Sequence, residues 1–261
     1  MHPVLFEIFG FQVRSWGVLL VVGVLVGMFL AVRRARRFGI SPDGTMDMAW
    51  LLLIAGVIGG RLGWVLQELP YYLERPVEIF YLRAGGMTSY GGVAGAAIAL
   101  AFWCRRAGVP FLVALDWLAA PALAVNAIGR VGCFLNGCCY GAECDLPWAV
   151  VVHPEGGGEA YLGHPAQLYD TALSLLGAAA LLWYERHSPT ALARGRLTAL
   201  FLLAYGGSRV VLEVFRAGAS SGSNFGWSVP DGLVVAALLV VAGLVMLVRS
   251  RGAPVTQGSE P

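Results

Sequence analysis

The chain has 261 residues, of which 57% are hydrophobic and only 13% charged, and its formal net charge is +2. Soluble domains carry about 25% charged residues, so this balance, with a mean hydropathy of +0.69, excludes an ordinary soluble globule. The small net charge also gives no reason to expect a nucleic-acid partner.

Runs of about 20 apolar residues are long enough to cross a bilayer. Seven are predicted, at 15–32, 46–66, 86–104, 111–129, 166–184, 196–215 and 231–248. The stretch ahead of the first run has no basic n-region and no small-residue cleavage site, so that run is expected to stay in the protein. Arg33, Arg34, Arg36 and Arg37 follow the first run, and Arg105 and Arg106 follow the third. Arg186, Arg194 and Arg196 separate the fifth from the sixth, and Arg249 and Arg251 follow the seventh. All four clusters fall on one side if the chain crosses seven times, and the positive-inside rule makes that side cytoplasmic. The expectation is an all-α polytopic membrane protein with seven transmembrane helices, its N-terminus outside (periplasmic) and its C-terminus cytoplasmic. Residues 1–251 then form a single membrane-embedded domain, followed by a short polar tail, 252–261, of disorder-prone composition. The outward segments are 67–85, 130–165 and 216–230, the second carrying the flexible PEGGGE stretch. There is no inverted repeat of the kind transporters show.

Three arginines lie inside apolar runs, where a charge costs about 2.5–3.5 kcal/mol on insertion scales and is normally paired, water-exposed or functional. Arg61 stands in GVIGGRLGWVL, Arg130 in AVNAIGRVGCFLNG and Arg209 in LLAYGGSRVVLEVFR. A guanidinium grips phosphate with a fork of donors, so the three together suggest binding of a phospholipid headgroup. In GGMTSYGG, glycines at a helix entry, Gly91 and Gly92 among them, offer amide donors to an anion. Tyr90 adds a phenol there, or serves only as an aromatic-belt anchor. In GRVGCFLNGCCYG (129–141), Arg130 supplies charge, Asn136 hydrogen bonds, and Gly137 and Gly141 close backbone approach to a ligand. HPAQLYD opens the fifth run, with His164 read as a capping or structural residue in preference to a catalytic one. In the sixth run Tyr205, Arg209 and Glu213 share a helical face. Glu213 either forms an internal ion pair with Arg209 or orients it toward an anionic ligand. Cys133, Cys138, Cys139 and Cys144 crowd the outward loop in a C-x4-C-C-x4-C spacing. That is not a common zinc pattern, and an oxidising location favours one or two disulfides, with a reactive thiol as the alternative.

GGRLGWVLQ, GGMTSYGG, GRVGCFLNGCCYG, and HPAQLYD with YGGSRVVLEVFR occur in an order and spacing that resemble the bacterial phosphatidylglycerol–prolipoprotein diacylglyceryl transferase family. The resemblance runs from about Val13 to the end of the seventh run. It implies transfer of the diacylglyceryl group of phosphatidylglycerol to the lipobox cysteine thiol of a prolipoprotein, releasing glycerol 1-phosphate, in the bacterial inner membrane. It also implies that Arg130 and Arg209 are the main phospholipid-binding and catalytic arginines, that Tyr90 is catalytic or orients substrate, and that no metal, nucleotide or other cofactor takes part. The chain departs from the family's pattern in places. Tyr90 stands where members often have His, Trp16 where an early Tyr is usual, Cys133 for the usual Asn and Cys138 for the usual Glu. Two other readings fit the same residues: a diverged relative using the lipid site with another acceptor, and a non-catalytic lipid-binding or transport protein.

Overall fold

The computed structural model describes residues 4–8, 11–81, 85–153, 158–188, 190–216 and 231–250. The predicted outward segment beyond residue 216, the tail 252–261 and most of PEGGGE lie outside the described residues. The helices are α1 (Ser15–Ala35), α2 (Pro42–Gln67), the short α3 (Leu69–Glu74), α4 (Ser89–Ala107), α5 (Phe111–Asn136), α6 (Ala166–His187), α7 (Arg196–Arg216) and α8 (Asp231–Ser250). Among the described residues, five helical segments are long and apolar enough to cross a membrane: Ser15–Phe38, Pro42–Gln67, Phe111–Asn136, Arg196–Arg216 and Gly232–Ser250. The all-α expectation omits two small antiparallel hairpins. One pairs β1 (Val4–Ile8) with β2 (Phe11–Arg14), and the other pairs β3 (Val150–Val152) with β4 (Tyr161–Gly163). Strands this short leave too weak a periodic signal to stand out beside long apolar runs.

The fold divides into two compact units, Val32–Ala114 and a second built from Met1–Ala31 with Leu115–Pro261. In the first, α2 and α4 pack along a glycine seam. A Cβ on Gly91 would run into the Gly59 carbonyl oxygen, and one on Gly95 into that of Ala55. Small residues let two backbones approach this closely inside a membrane, where hydrophobic burial does not drive helices together. Both helices are capped at their N-termini. The Ser41 hydroxyl accepts from the Gly44 N–H at 3.0 Å, with Pro42 in the first turn. The Thr88 hydroxyl accepts from the Gly91 N–H at 3.3 Å. Each cap satisfies a donor that the helix itself cannot.

The second unit is organised by α5. Trp117 is fully buried and its Nε1 donates to the Ala31 carbonyl of α1 at 2.8 Å. Pro121 lies inside α5 and lacks the N–H that would bond the carbonyl one turn back. Asp116, 3% exposed, reaches across to the start of α7. Its carboxylate accepts from the backbone N–H groups of Gly195 and Thr198 and from the Thr198 hydroxyl, the last two at 2.7 Å. A carboxylate at a helix N-terminus satisfies orphan donors and complements the helix dipole. This cap ties α7 to α5, the two helices that carry Arg209 and Arg130. Asp116→Ala strands three buried donors, and the expected cost is about 2 kcal/mol of stability. Thermal unfolding of the purified protein in detergent measures it; an unchanged midpoint would mean that water replaces the carboxylate.

Candidate functional site

In the second unit Arg130 and Arg209 converge on Asp170, which α6 buries to 2% exposure. Arg130 Nε lies 2.7 Å from Asp170 Oδ2, and Arg209 Nη1 lies 3.7 Å from the same oxygen. The other oxygen, Oδ1, accepts from Asn126 Nδ2 and from the Ser174 hydroxyl, each at 3.2 Å. Asn126 also donates to Ser174 Oγ at 2.8 Å, closing the polar network. A carboxylate bonded on both oxygens is held in one orientation, and it holds its arginines in turn. Both guanidinium side chains remain 19% exposed, so a ligand reaches them without rearrangement of the helices. Three helices contribute: α5 brings Arg130 and Asn126, α6 brings Asp170 and Ser174, and α7 brings Arg209.

Asp170 is absent from the residues expected from sequence. The signal was there, since a carboxylate in the run LYDTALSLLG invites the same question as an intramembrane arginine. Sequence spacing instead suggested Glu213 as the partner of Arg209. One helical turn brings these two side chains within reach, but Arg209 turns to Asp170 on α6. Glu213 faces α8 instead, with its Oε2 3.5 Å from where a Cβ on Gly232 would stand. Tyr205, one turn before Arg209, stacks on Phe201 with ring centroids 5.9 Å apart.

The signature segment after α5 is a locked turn. Gly137 adopts φ 80°, the Gly137 N–H bonds the Phe134 carbonyl, and the Cys138 N–H bonds that of Cys133 at 3.1 Å. This pair of bonds is a Schellman closure, which needs the left-handed conformation that glycine adopts without strain. The Cys138 carbonyl then accepts from the buried Gln167 side chain of α6 at 2.7 Å. Further along, the Gly141 N–H bonds the His164 carbonyl at 3.0 Å and the Ala142 N–H bonds the Phe215 carbonyl at 2.8 Å. A Cβ on Gly141 would stand 2.6 Å from that of His164. Gly137 thus serves the turn, and the close approach at Gly141 is to the chain's own residues His164 and Phe215. Together they pin the ends of α5, α6 and α7, which sets the spacing of Arg130, Asp170 and Arg209. His164 is part of this clamp, its ring edge-on to Phe215 at 5.1 Å and its Nδ1 3.3 Å from the Tyr169 hydroxyl.

All five cysteines are free thiols, where the oxidising location pointed to one or two disulfides. The sulfurs of Cys133, Cys138 and Cys139 lie within 4.8 Å of one another, and Cys144 stands outside the group. The turn folds the first three together, whereas Cys144 is drawn toward the β3–β4 hairpin by its N–H bond to Leu162. Asn136 is the last residue of α5, immediately before the turn. Hydrogen bonding from the Cys133 and Cys138 thiols, with help from the positive charges of Arg130 and Arg216, holds the Cys139 thiol below its usual range.

In the first unit, Arg61 is 5% exposed, and its donors are taken by backbone carbonyls. Nε bonds Ile79 at 2.8 Å, Nη1 bonds Gly85 and Gly86 at 2.7 and 2.9 Å, and Nη2 bonds Glu78 at 2.7 Å and Tyr81 at 3.4 Å. The guanidinium also sits 5.3 Å from the centre of the Tyr72 ring. The expectation from sequence was a phosphate-binding role, whereas here the guanidinium is engaged by the chain's own backbone. Arg61 ties residues 78–81 to Gly85 and Gly86 by donating to five of their carbonyls, that of Glu78 also accepting from the Tyr81 N–H at 3.1 Å. Arg61→Ala is expected to cost about 3 kcal/mol of stability. In thermal unfolding the midpoint should fall, while phospholipid affinity of the folded fraction stays unchanged; the reverse pattern would restore Arg61 to the lipid site. Gly91 and Gly92 also differ from expectation. Their amides bond the Thr88 hydroxyl and carbonyl, at 3.3 and 3.1 Å, and do not form an open anion cradle. Tyr90, in the first turn of α4, is 68% exposed.

The sequence model of the family described as "Prolipoprotein diacylglyceryl transferase" matches residues 3–249 of this chain. Among similar proteins is the phosphatidylglycerol–prolipoprotein diacylglyceryl transferase of Clostridium tetani, 33% identical over 218 residues that cover 83% of this chain and 86% of that protein. The protein of the same name from Nitratidesulfovibrio vulgaris strain DP4 is 34% identical over 254 residues, 95% and 94% of the two chains. That of Ruegeria pomeroyi is 34% identical over 287 aligned positions, 97% of each.

Proposed function

The chain belongs to the prolipoprotein diacylglyceryl transferase family, and from that premise we propose how its own residues perform the transfer. The protein is a multi-pass bacterial inner-membrane transferase. It moves the diacylglyceryl group of phosphatidylglycerol onto the lipobox cysteine thiol of prolipoproteins and releases glycerol 1-phosphate. In the membrane, α1, α2, α4, α5, α6, α7 and α8 are the seven crossings, with the N-terminus periplasmic and the C-terminus cytoplasmic. The arginine clusters at alternate loops support that orientation.

One observation carries the assignment of the site: Asp170 holds two arginines and neutralises only one. The surplus positive charge matches the single negative charge of a phosphodiester. Asp170 engages Arg130 through Nε, which leaves the terminal fork of N–H groups for phosphate oxygens. In the transfer, the acceptor sulfur attacks the glyceryl carbon as its thiolate, forming a C–S bond. The C–O bond to phosphate breaks, and its electron pair leaves with glycerol 1-phosphate. Charge grows on that phosphate as the bond breaks, so arginines already oriented toward it stabilise the transition state more than the ground state. Placing donor and acceptor side by side at the membrane supplies much of the remainder. By the family resemblance Tyr90 serves the acceptor half of the reaction, and its 68% exposure leaves the residue open to a ligand. Tyr90→Phe is expected to lower kcat by about 10–100-fold, with KM for phosphatidylglycerol unchanged. An unchanged kcat would reduce Tyr90 to an anchor at the membrane surface.

The experiment that tests this reading is transfer of labelled diacylglyceryl from phosphatidylglycerol to a lipobox peptide by the purified protein. A Cys peptide and its Ser counterpart are run side by side. Label on the Cys peptide alone is the expected result. Label on neither, from folded protein that still binds the lipid, would replace a transferase with a lipid-binding or transport protein.

A further inference from the structure

Beside the arginine cluster stand three thiols that the turn after α5 brings to one point. We infer that Cys133, Cys138 and Cys139 form a binding site for a soft, low-coordinate cation, monovalent copper being the best match.

Geometry comes first. The three sulfurs lie within 4.8 Å of one another. A metal–thiolate bond of about 2.3 Å puts the sulfurs of a three-coordinate ion about 4 Å apart, so small side-chain adjustments complete the site. The positions, five and six residues after the first, are brought together by backbone and not by chance side-chain rotation. The Schellman closure at Gly137 turns the chain back on α5, and Cys139 then adopts φ 61°. A left-handed non-glycine residue is uncommon and persists where its surroundings impose it. Gln167 holds the Cys138 carbonyl from α6, which keeps the turn from relaxing.

The donor set decides the class of ion. The group contains sulfur alone, with no imidazole or carboxylate, and such a set selects soft ions over magnesium, calcium or manganese. Structural zinc takes four ligands, whereas this cluster provides three. Charge points the same way. Three thiolates around one monovalent ion carry two negative charges, and the nearby guanidinium of Arg216 offsets part of them. The Nε of Arg216 is buried without a hydrogen-bond partner among the described residues, a cation facing the cluster with a donor to spare. All three cysteines are only half-buried, so an ion enters without unfolding of the helices. The inference does not depend on the transferase reading.

The test uses the full-length protein, purified in detergent and reduced, titrated without oxygen with monovalent copper buffered by a coloured competing chelator. The expected result is one copper ion per chain. Cys133→Ser, Cys138→Ser and Cys139→Ser should each weaken binding by more than the roughly 10–100-fold that outer-shell changes cost. Cys144→Ser should bind as the wild type does. Three single variants are used so that failure of one to fold leaves the test standing. Absence of stoichiometric binding, wild-type affinity in both Cys138→Ser and Cys139→Ser, or a disulfide joining two of the three in the isolated protein would each overturn the site.

Discussion

Asp170→Asn should lower the rate of diacylglyceryl transfer by about 100- to 1000-fold, the range seen when a preorganised electrostatic contact to a transition state is lost. The side chain keeps its size, so the helices should still pack. Its charge disappears, and one carboxylate oxygen is exchanged for an amide that donates. If the amide takes the place of Oδ2, it meets Arg130 Nε, now 2.7 Å away, donor against donor. If it turns over, it meets Asn126 and Ser174 at the other oxygen. Either way one side of the network is broken. Because Asp170 acts through the arginines, the signature is a split between parameters. Extra positive charge retains the phospholipid, so KM for the donor should stay level or fall, while kcat collapses because the arginines no longer point at the leaving phosphate. Steady-state kinetics in mixed detergent and phosphatidylglycerol micelles separates the two. An unchanged kcat would mean that Asp170 merely neutralises charge in the bilayer.

Arg130→Lys should abolish most of the activity although the charge is preserved, with kcat/KM falling by at least about 100-fold. Lysine offers a compact ammonium and not a planar fork. It cannot bond Asp170 and present a pair of parallel donors to phosphate at the same time. Arg130→Ala should be no better, and thermal unfolding should show that both variants still fold, with a smaller drop in midpoint than Arg61→Ala. Recovery of activity in Arg130→Lys would reduce Arg130 to a source of charge and undermine the phosphate clamp. Phosphatidylglycerol binding by the two variants, measured alongside turnover, distinguishes a lost ligand contact from a lost transition-state contact.

Membrane character, the helix positions and the family all follow from the chain read in one dimension. A bilayer imposes a length and a polarity on each helix, and those constraints are local. The four ordered blocks identified the family for a similar reason, since each is contiguous. The arginines at 130 and 209 were also visible, because an arginine in an apolar run is conspicuous wherever it folds.

Partner choice was not visible, because it depends on which helix faces which. Glu213 is close to Arg209 along α7, yet Asp170 from α6 takes the pair through packing that no spacing encodes. Arg61 looked the equal of the other two arginines until five carbonyls from the segment between α3 and α4 closed around it. Gly91 and Gly141 likewise read as places for a ligand, and tertiary contact filled them with the chain's own backbone. The thiols at positions 133, 138 and 139 became a cluster only when a left-handed turn folded them back on α5. Hydropathy and motif order are properties of neighbours in sequence and so were determined by the sequence itself. Which buried charge is neutralised, which donor is satisfied and which sulfurs meet are properties of neighbours in space, and only the tertiary structure decided them.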